Sequence, residues 1–456
     1  MRMENPDELL RRLPSVEILT THPALQAAIA VYSRPLVVDA VREVIEGARS
    51  SILADHRMPS DGELVDSIIS ALSARFGEYL REVINGTGVL VHTNLGRTPL
   101  PGEAFPPLSY SNLEYDLPAG TRGRRGRLVE SMIARLAGAE AALVVNNNAA
   151  AVYLVLSGLA VGKEVIVSRG ELVQIGGGFR IPEILERSGA ILREVGTTNK
   201  TVLEDYRKAI GPETALILKV HRSNFKMTGF VSEAGLHDLA GLGHKEDIPV
   251  VMDLGSGAVS DMRQYGLPHE PTLADAITDK AELVTASGDK LFGGPQAGLI
   301  AGKKEMVDRL RSDPFYRALR PDKTALAGLE YTARAHLDGA AVERLPLYRM
   351  LAFPLDKLRQ RAESLMSRLQ ECGIDCRVVN TNATVGGGSL PEEAFPSVGI
   401  EIRSLQKADV LAQKLRSGEP PVIGIITEDT YRIDLRTVLA EQDERLVAAI
   451  LRVQEI

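Results

Sequence analysis

Short apolar runs recur through the middle of the chain, at 142–145, 164–167, 191–195, 215–220, 250–253 and 283–286. Most are rich in Val, Ile and Leu, the pattern of strands buried on both faces. Between them lie stretches with helical periodicity, such as 129–136 and 181–187. Strand alternating with helix predicts a mostly parallel sheet wrapped by helices. Before about residue 80 there are no strand-like runs. A helix is expected to begin in Pro14-Ser15-Val16-Glu17 with Ser15 as its cap, a second over about 36–53, and a third after the turn Pro59-Ser60-Asp61-Gly62. Beyond about residue 340 the pattern changes again. A long amphipathic helix is expected at 355–373, then strands at 375–379 and 398–403, a helix near 408–415, strands at 422–426 and 432–435, and a final helix. Three domains are therefore expected: a helical head over 1–80, a large α/β domain over 81–340 and a small α+β domain over 341–456. Gly386-Gly387-Gly388 reads as a flexible turn between strands, without phosphate-binding context.

A chain of 456 residues with 44% hydrophobic residues is long enough to bury the core such domains need. Aromatic residues make up 4% and Trp is missing, so platforms that stack single-stranded bases are not indicated. The net charge of −7 gives no global pull toward nucleic acid. Cys372 and Cys376 are too few for a disulfide framework, and their spacing suits neither a redox pair nor a zinc knuckle. Both are expected to be buried structural thiols, and no metal site is expected. The first dozen residues mix Arg, Glu and Asp, unlike a secretory signal, and the uncharged stretch 149–162 is too short to cross a bilayer. A cytoplasmic protein with no membrane partner is expected.

Chemistry concentrates in Thr285-Ala286-Ser287-Gly288-Asp289-Lys290-Leu291-Phe292-Gly293-Gly294. A lysine that follows an apolar strand and opens a glycine-rich loop can form a Schiff base with a cofactor aldehyde, while the glycines let backbone pass beneath a flat ring. The hydroxyl of Ser287 could reach a phosphate on the same cofactor. Upstream, Val250-Val251-Met252-Asp253 reads as a buried strand ending in a carboxylate, the group that keeps a pyridine nitrogen protonated. The two motifs together point to pyridoxal 5'-phosphate, with Lys290 and Asp253 as its main partners. Singly, an Asp after a strand is more often a cap or turn residue, and lysines such as Lys280, Lys303 and Lys304 belong to solvated surface.

Other candidates are weaker alone. Asn146-Asn147-Asn148-Ala149 follows a strand and opens an apolar helix, so Asn147, Asn148 and Ala149 can form a phosphate cup. An ordinary Asn cap explains the same residues equally well. His92, in the Gly- and Asn-rich stretch 84–97, is more often a structural residue than a catalyst. Arg97 there, and Arg317 with Arg320 three positions apart, offer planar forks to an anion, although paired arginines are usually solvated charge.

Together these segments resemble bacterial selenocysteine synthase, the L-seryl-tRNA(Sec) selenium transferases. The resemblance is carried by 84–99, 144–151, Val167-Ser168-Arg169-Gly170-Glu171-Leu172 with 176–182, 194–199, Lys219-Val220-His221 with Ser223-Asn224, 253–257 and 287–298. It extends to 317–320, 386–391, Asp434-Leu435-Arg436-Thr437 and the opening Leu10-Arg11-Arg12-Leu13-Pro14-Ser15-Val16. It implies a fold-type-I enzyme that converts seryl-tRNA(Sec) to selenocysteinyl-tRNA(Sec) with selenophosphate, through an aminoacrylyl-tRNA intermediate. By the same resemblance Arg97, Arg317 and Arg320 bind the selenium donor, and Thr197, Thr198, Asn224 and Asp289 line that pocket. It further implies a homo-oligomer, a decameric ring of dimers with shared active sites, whose helical head contacts the tRNA. The head carries eight basic and twelve acidic residues over 1–80, unlike a typical nucleic-acid-binding module. Basic density lies instead at Arg122, Arg124, Arg125 and Arg127 and around 303–323.

Rival chemistries fit fewer features. A β-elimination on a free amino acid uses Lys290 and Asp253 but needs neither a helical head nor an arginine trio. A cysteine desulfurase needs a nucleophilic cysteine on a mobile loop, a setting neither cysteine has. A scaffold that had lost catalysis would show an eroded lysine motif, and this one is intact.

Overall fold

The computed structural model describes residues 5–76, 80–105, 109–175, 178–403 and 406–454. The chain divides into two compact units, Met1–Glu82 and Val83–Ile456. In the first unit helices follow one another as α1 (Pro6–Arg12), α2 (Val16–Thr20), α3 (Pro23–Tyr32), α4 (Arg34–Asp55) and α5 (Asp61–Phe76). Ser15 caps α2 by accepting the Ile18 amide at 3.3 Å. Before α5, Ser60 accepts the Glu63 amide at 3.2 Å while Glu63 accepts the Ser60 amide at 2.8 Å, a reciprocal capping box. Val37, Val41 and Ile45 recur at helical spacing along α4 and are buried with Leu25, Ile68 and Leu72. Helix α3 escapes a periodicity reading because Pro-Ala-Leu-Gln-Ala-Ala-Ile-Ala-Val-Tyr is apolar nearly all round.

The second unit is built on a seven-stranded sheet. Its strands are β1 (Ala141–Val145), β2 (Glu164–Ser168), β3 (Ile191–Val195), β4 (Thr214–Val220), β5 (Val250–Gly255), β6 (Leu283–Ser287) and β7 (Gly298–Gly302). They lie in the order β1-β7-β6-β5-β4-β2-β3. All run parallel except β7, which is antiparallel to β6 and β1. This is the mostly parallel sheet expected of a fold-type-I enzyme. Strand β7 was not among the apolar runs, since Gly-Leu-Ile-Ala-Gly is short and bounded by glycine. Alternate residues feed two cores: Leu143, Val251, Leu283 and Ile300 on one face, and Val144, Met252, Val284 and Leu299 on the other. Helix α6 (Arg127–Ala137) packs in the second core and α7 (Asn148–Leu159) in the first.

A smaller antiparallel sheet follows, made of β8 (Cys376–Gly386), β9 (Ser389–Ile402), β10 (Ile425–Thr427) and β11 (Thr430–Asp434) in the order β8-β9-β11-β10. Its core includes Leu358, Leu365 and Leu369 of helix α8 (Leu355–Glu371) with Leu411, Ile433 and Leu446. The strands expected at 375–379 and 398–403 are the far ends of one long hairpin. Residues between alternate among buried, half-exposed and exposed positions, so apolar runs mark only the ends. Gly424 divides the expected strand 422–426 into Val422–Ile423, which pairs with Ile84–Asn85, and β10. Cys376 is buried as expected, but Cys372 is exposed, because it caps the C-terminus of α8 where the chain leaves the core. Among the described residues no helix is long and apolar enough to cross a membrane.

Candidate active site

The carboxyl ends of β5 and β6 define the site, as parallel sheets place ligands there. Pairing sets Asp253 beside Thr285, so both side chains project from one face. The Thr285 hydroxyl donates to Asp253 Oδ1 at 3.0 Å, and Asn148 Nδ2 donates to the same oxygen at 2.9 Å. Both bonds fall on Oδ1 and leave Oδ2 for a further donor. Asp253 is 3% exposed. Burial pushes its carboxyl above the usual range, opposed by the two hydrogen bonds and by Lys290.

Lys290 opens a loop closed on itself: the Gly288 amide donates to Ala297, that of Gly293 to Lys290, and that of Gly294 to Gly288. Neighbouring segments fix it further. The Leu291 amide donates to Ser256 at 2.9 Å, Thr98 Oγ1 to the Lys290 carbonyl at 3.0 Å, and Tyr348 OH to the Leu291 carbonyl at 2.7 Å. The side chain of Lys290 is buried, which lowers its amine below the usual 10.5, with the Arg97 guanidinium acting in the same direction. Arg97 itself is held by Asp289: its Nη1 lies 2.9 Å from both carboxylate oxygens.

Strand pairing also orders the expected phosphate end. Ser287 faces Gly298, which in turn faces Val145, and α7 begins three residues after Val145. A Cβ on Gly298 would lie 2.2 Å from the Asn147 carbonyl oxygen, so only glycine allows α7 to start this close. Asn147 caps α7 by accepting the Ala150 amide at 2.8 Å. The amides of Asn148 and Ala149 belong to the first turn, where no carbonyl of the helix accepts them. Asn148 Oδ1 and Ser256 Oγ are buried without a hydrogen-bond partner. These groups fit pyridoxal phosphate: an amine, a buried carboxylate with an oxygen to spare, and helix amides for a phosphate.

The expected donor-binding residues are spread around this centre. The Asn146 amide donates to the Leu319 carbonyl at 2.9 Å and ties the short helix Tyr316–Leu319 to the start of α7. Arg320 follows that helix, with Nη1 3.5 Å from Glu114 and its Nε buried without a partner. Arg317 is exposed and has no ion-pair partner among the described residues. Among the described residues Arg97 pairs with Asp289 and Arg320 with Glu114, and no hydrogen bond or ion pair joins Arg97 to Arg317 or Arg320, so a single chain does not join the trio directly. Thr197 closes a turn after β3 by donating to the Lys200 carbonyl at 3.0 Å, and Thr198 presses its carbonyl against Gly170. Asn224 donates to the Gln174 carbonyl at 3.1 Å, while its Oδ1 is buried and unpaired. Gly176 and Gly177, in one segment of the resemblance, lie outside the described residues.

A model of the L-seryl-tRNA selenium transferase family matches residues 83–439, and one of the selenocysteine synthase N-terminal segment matches 10–49. The chain belongs to the L-seryl-tRNA selenium transferase family. Curated relatives named L-seryl-tRNA(Sec) selenium transferase include one from Carboxydothermus hydrogenoformans, 46% identical over 446 residues and covering 96% of each chain. Another, from Aquifex aeolicus, is 45% identical over 95% of this chain and 96% of its own. Among solved structures, D-glucosaminate-6-phosphate ammonia-lyase shares the fold, with a TM-score of 0.57 at 18% identity over 84% of this chain and 98% of its own.

Three features of this selenium transferase family member escape a reading of its motifs. Thr285 holds Asp253, and its signal was available: the two residues end adjacent strands at matched positions. Glu114 is the shared partner of Arg122, Arg125 and Arg320, and no local pattern marks it. The turn Gly386-Gly387-Gly388 has no phosphate-binding context in the sequence, yet Gly388 borders the Lys290 amine.

Proposed function

We propose that this chain converts seryl-tRNA(Sec) to selenocysteinyl-tRNA(Sec), with selenophosphate as the selenium donor. The observation that carries this reading is the family match over 83–439, joined to a buried lysine and a buried carboxylate on neighbouring segments of one sheet edge. Pyridoxal phosphate, when bound, supplies an electron sink for negative charge at the seryl α-carbon. Lys290 Nζ holds the cofactor and then carries the α-proton, work favoured by an amine whose affinity for protons burial has lowered. Asp253 keeps the ring nitrogen protonated, with Thr285 and Asn148 fixing the carboxylate. The first-turn amides of α7 and the Ser287 hydroxyl receive the phosphate.

In the overall change the seryl β-hydroxyl leaves as water. Selenium bonds to the β-carbon, and its bond to phosphorus breaks with water taking up the phosphoryl group, which leaves as phosphate. Arg317 and Arg320 bind selenophosphate with Arg97, and Thr197, Thr198, Asn224 and Asp289 complete that pocket in an assembled ring of dimers. The division into a tRNA-contacting head over 1–80, a cofactor domain over 81–340 and a small domain over 341–456 belongs to the same proposal, as does a cytoplasmic setting. The test is turnover with labelled selenophosphate. Label should become ester-linked to tRNA with the cofactor-loaded protein and not with Lys290→Ala. Absence of labelled tRNA with the wild-type protein would refute the function.

A further inference from the structure

Glu114 sits where arginines from two distant segments meet. It leads into a short hairpin, Tyr115–Asp116 paired with Thr121–Arg122, and its carbonyl accepts the Gly123 amide at 2.9 Å. Its Oε1 accepts Arg125 Nε at 2.8 Å, while Arg320 Nη1 lies 3.5 Å from the same oxygen. Arg122 Nη2 lies 3.3 Å from Oε2. Among the described residues no other carboxylate pairs with any of the three. Three cations against one anion leave two positive charges unmatched, and guanidinium groups this close repel unless a further anion joins them. Arg320 is held most loosely, by the longest of the three contacts. The cluster is fixed at the carboxyl edge of the large sheet. The Asn146 amide, just beyond β1, donates to the Leu319 carbonyl at 2.9 Å, and Arg125 Nη1 donates to the Pro321 carbonyl at 3.2 Å, so the backbone on both sides of Arg320 is tied down. Solvent reaches the cluster: the Glu114 side chain is 26% exposed, and Arg122 lines a groove of about 990 Å³ with Asn112, Tyr115 and Lys323.

We propose that Glu114 stands in for the phosphoryl group of the selenium donor: it keeps Arg125 throughout and yields Arg320 and Arg122 when selenophosphate arrives. Arg122 thereby becomes a further donor-binding residue. A phosphoryl dianion matches the two unmatched charges, and its oxygens accept from planar forks as a carboxylate does. Competition with an internal carboxylate orders the arginines before the donor binds and sets how much donor is required. The inference rests on Arg320 binding selenophosphate and adds the group that controls access to it.

The experiment compares full-length, cofactor-loaded wild-type protein with Glu114→Gln, Arg122→Gln and Arg320→Ala. Each is titrated calorimetrically with inorganic phosphate and then assayed for its selenophosphate KM. Loading fills the cofactor's own phosphate site, so the titration reads the arginine cluster. Arg320→Ala and Arg122→Gln should raise both constants by about tenfold, the scale of a lost hydrogen bond to a charged group. Glu114→Gln keeps the shape and removes the competing charge, so it should lower both by about threefold or more. Affinity for tRNA, measured by filter binding, should stay at the wild-type value in all three. A carboxylate that merely holds the arginines in place predicts the opposite sign. A raised or unchanged phosphate Kd in Glu114→Gln therefore overturns the inference, as does an Arg122→Gln variant that loses tRNA affinity with phosphate binding intact. Arg122 is mostly exposed, so its variant keeps the inference testable if Glu114→Gln loads cofactor poorly, and an unchanged phosphate Kd there overturns it. If Arg320→Ala leaves phosphate binding intact, the donor role of Arg320 falls too; if it weakens binding while Glu114→Gln fails to tighten it, this inference falls alone.

Discussion

Replacing Asp253 with Asn separates chemistry from folding, because the two should move in opposite directions. The amide is isosteric, and its Oδ1 can still accept from Asn148 and Thr285 at 2.9 and 3.0 Å. What disappears is the charge and the acceptor at the second oxygen. A hydrogen bond to a charged group contributes about 1.5–3 kcal/mol, or about 10- to 150-fold in rate if it is made fully in the transition state. Weakening a preorganised charge can take the loss to about a thousandfold. The effect on folding has the other sign. Burial raises the folded carboxyl above its usual 3.8, so above that value the cofactor-free folded protein binds more protons than the unfolded chain. Its stability therefore falls as pH rises through the window between the two values. Asp253→Asn removes that dependence, so cofactor-free protein at pH 7 should melt no lower than wild type, while single-turnover rates drop by tenfold to a thousandfold. The assays are thermal melting of cofactor-free protein and rapid-quench turnover of loaded protein. A variant within threefold of wild-type turnover, or one that melts far lower, would refute the role.

Other outcomes follow from the same geometry. Borohydride treatment of the loaded protein should fix the cofactor on Lys290 by mass spectrometry, and an adduct on another lysine would overturn that assignment. In cofactor-free protein the Lys290 amine is lowered below its usual 10.5, so stability should rise with pH between its folded value and 10.5; Lys290→Met should abolish that rise, as pH-dependent melting can check. Arg317→Ala and Arg320→Ala should raise the selenophosphate requirement far more than they impair cofactor loading, and Lys should rescue only partly because it lacks the planar fork; an unchanged selenophosphate titration in both would return them to surface charge. Deleting Met1–Glu82 should spare cofactor binding and remove most tRNA affinity, measured by filter binding across salt concentrations; unchanged affinity and salt slope would count against the head as a tRNA contact.

Much of the fold was legible because buried parallel strands write themselves as apolar runs. The six such runs fall within strands of the large sheet, and the motifs at Asp253 and Lys290 end two adjacent strands. Elements that alternate or carry glycine were harder to read. Strand β7 hides between Gly298 and Gly302, and the middle of the β8–β9 hairpin mixes buried, half-exposed and exposed residues that form no apolar run. Helix α3 shows no periodicity because nearly every position is apolar. At the site, residues adjacent in the chain were easier to find than partners brought together by folding. Glu114 meets Arg320 from 206 positions away, and Thr98 meets Lys290 from 192. Gly388 shows the same limit. Its spacing marks a turn, and only the packed hairpin puts that turn beside the lysine.

The central claim is that this site handles serine carried on tRNA. One measurement tests it directly: loaded wild-type protein is given selenophosphate together with seryl-tRNA(Sec) and free serine, each with a distinct isotope label. Selenocysteine should carry only the label of the tRNA-borne serine and remain ester-linked to the tRNA. Selenocysteine formed at a comparable rate from free serine, or none from either, would contradict the account.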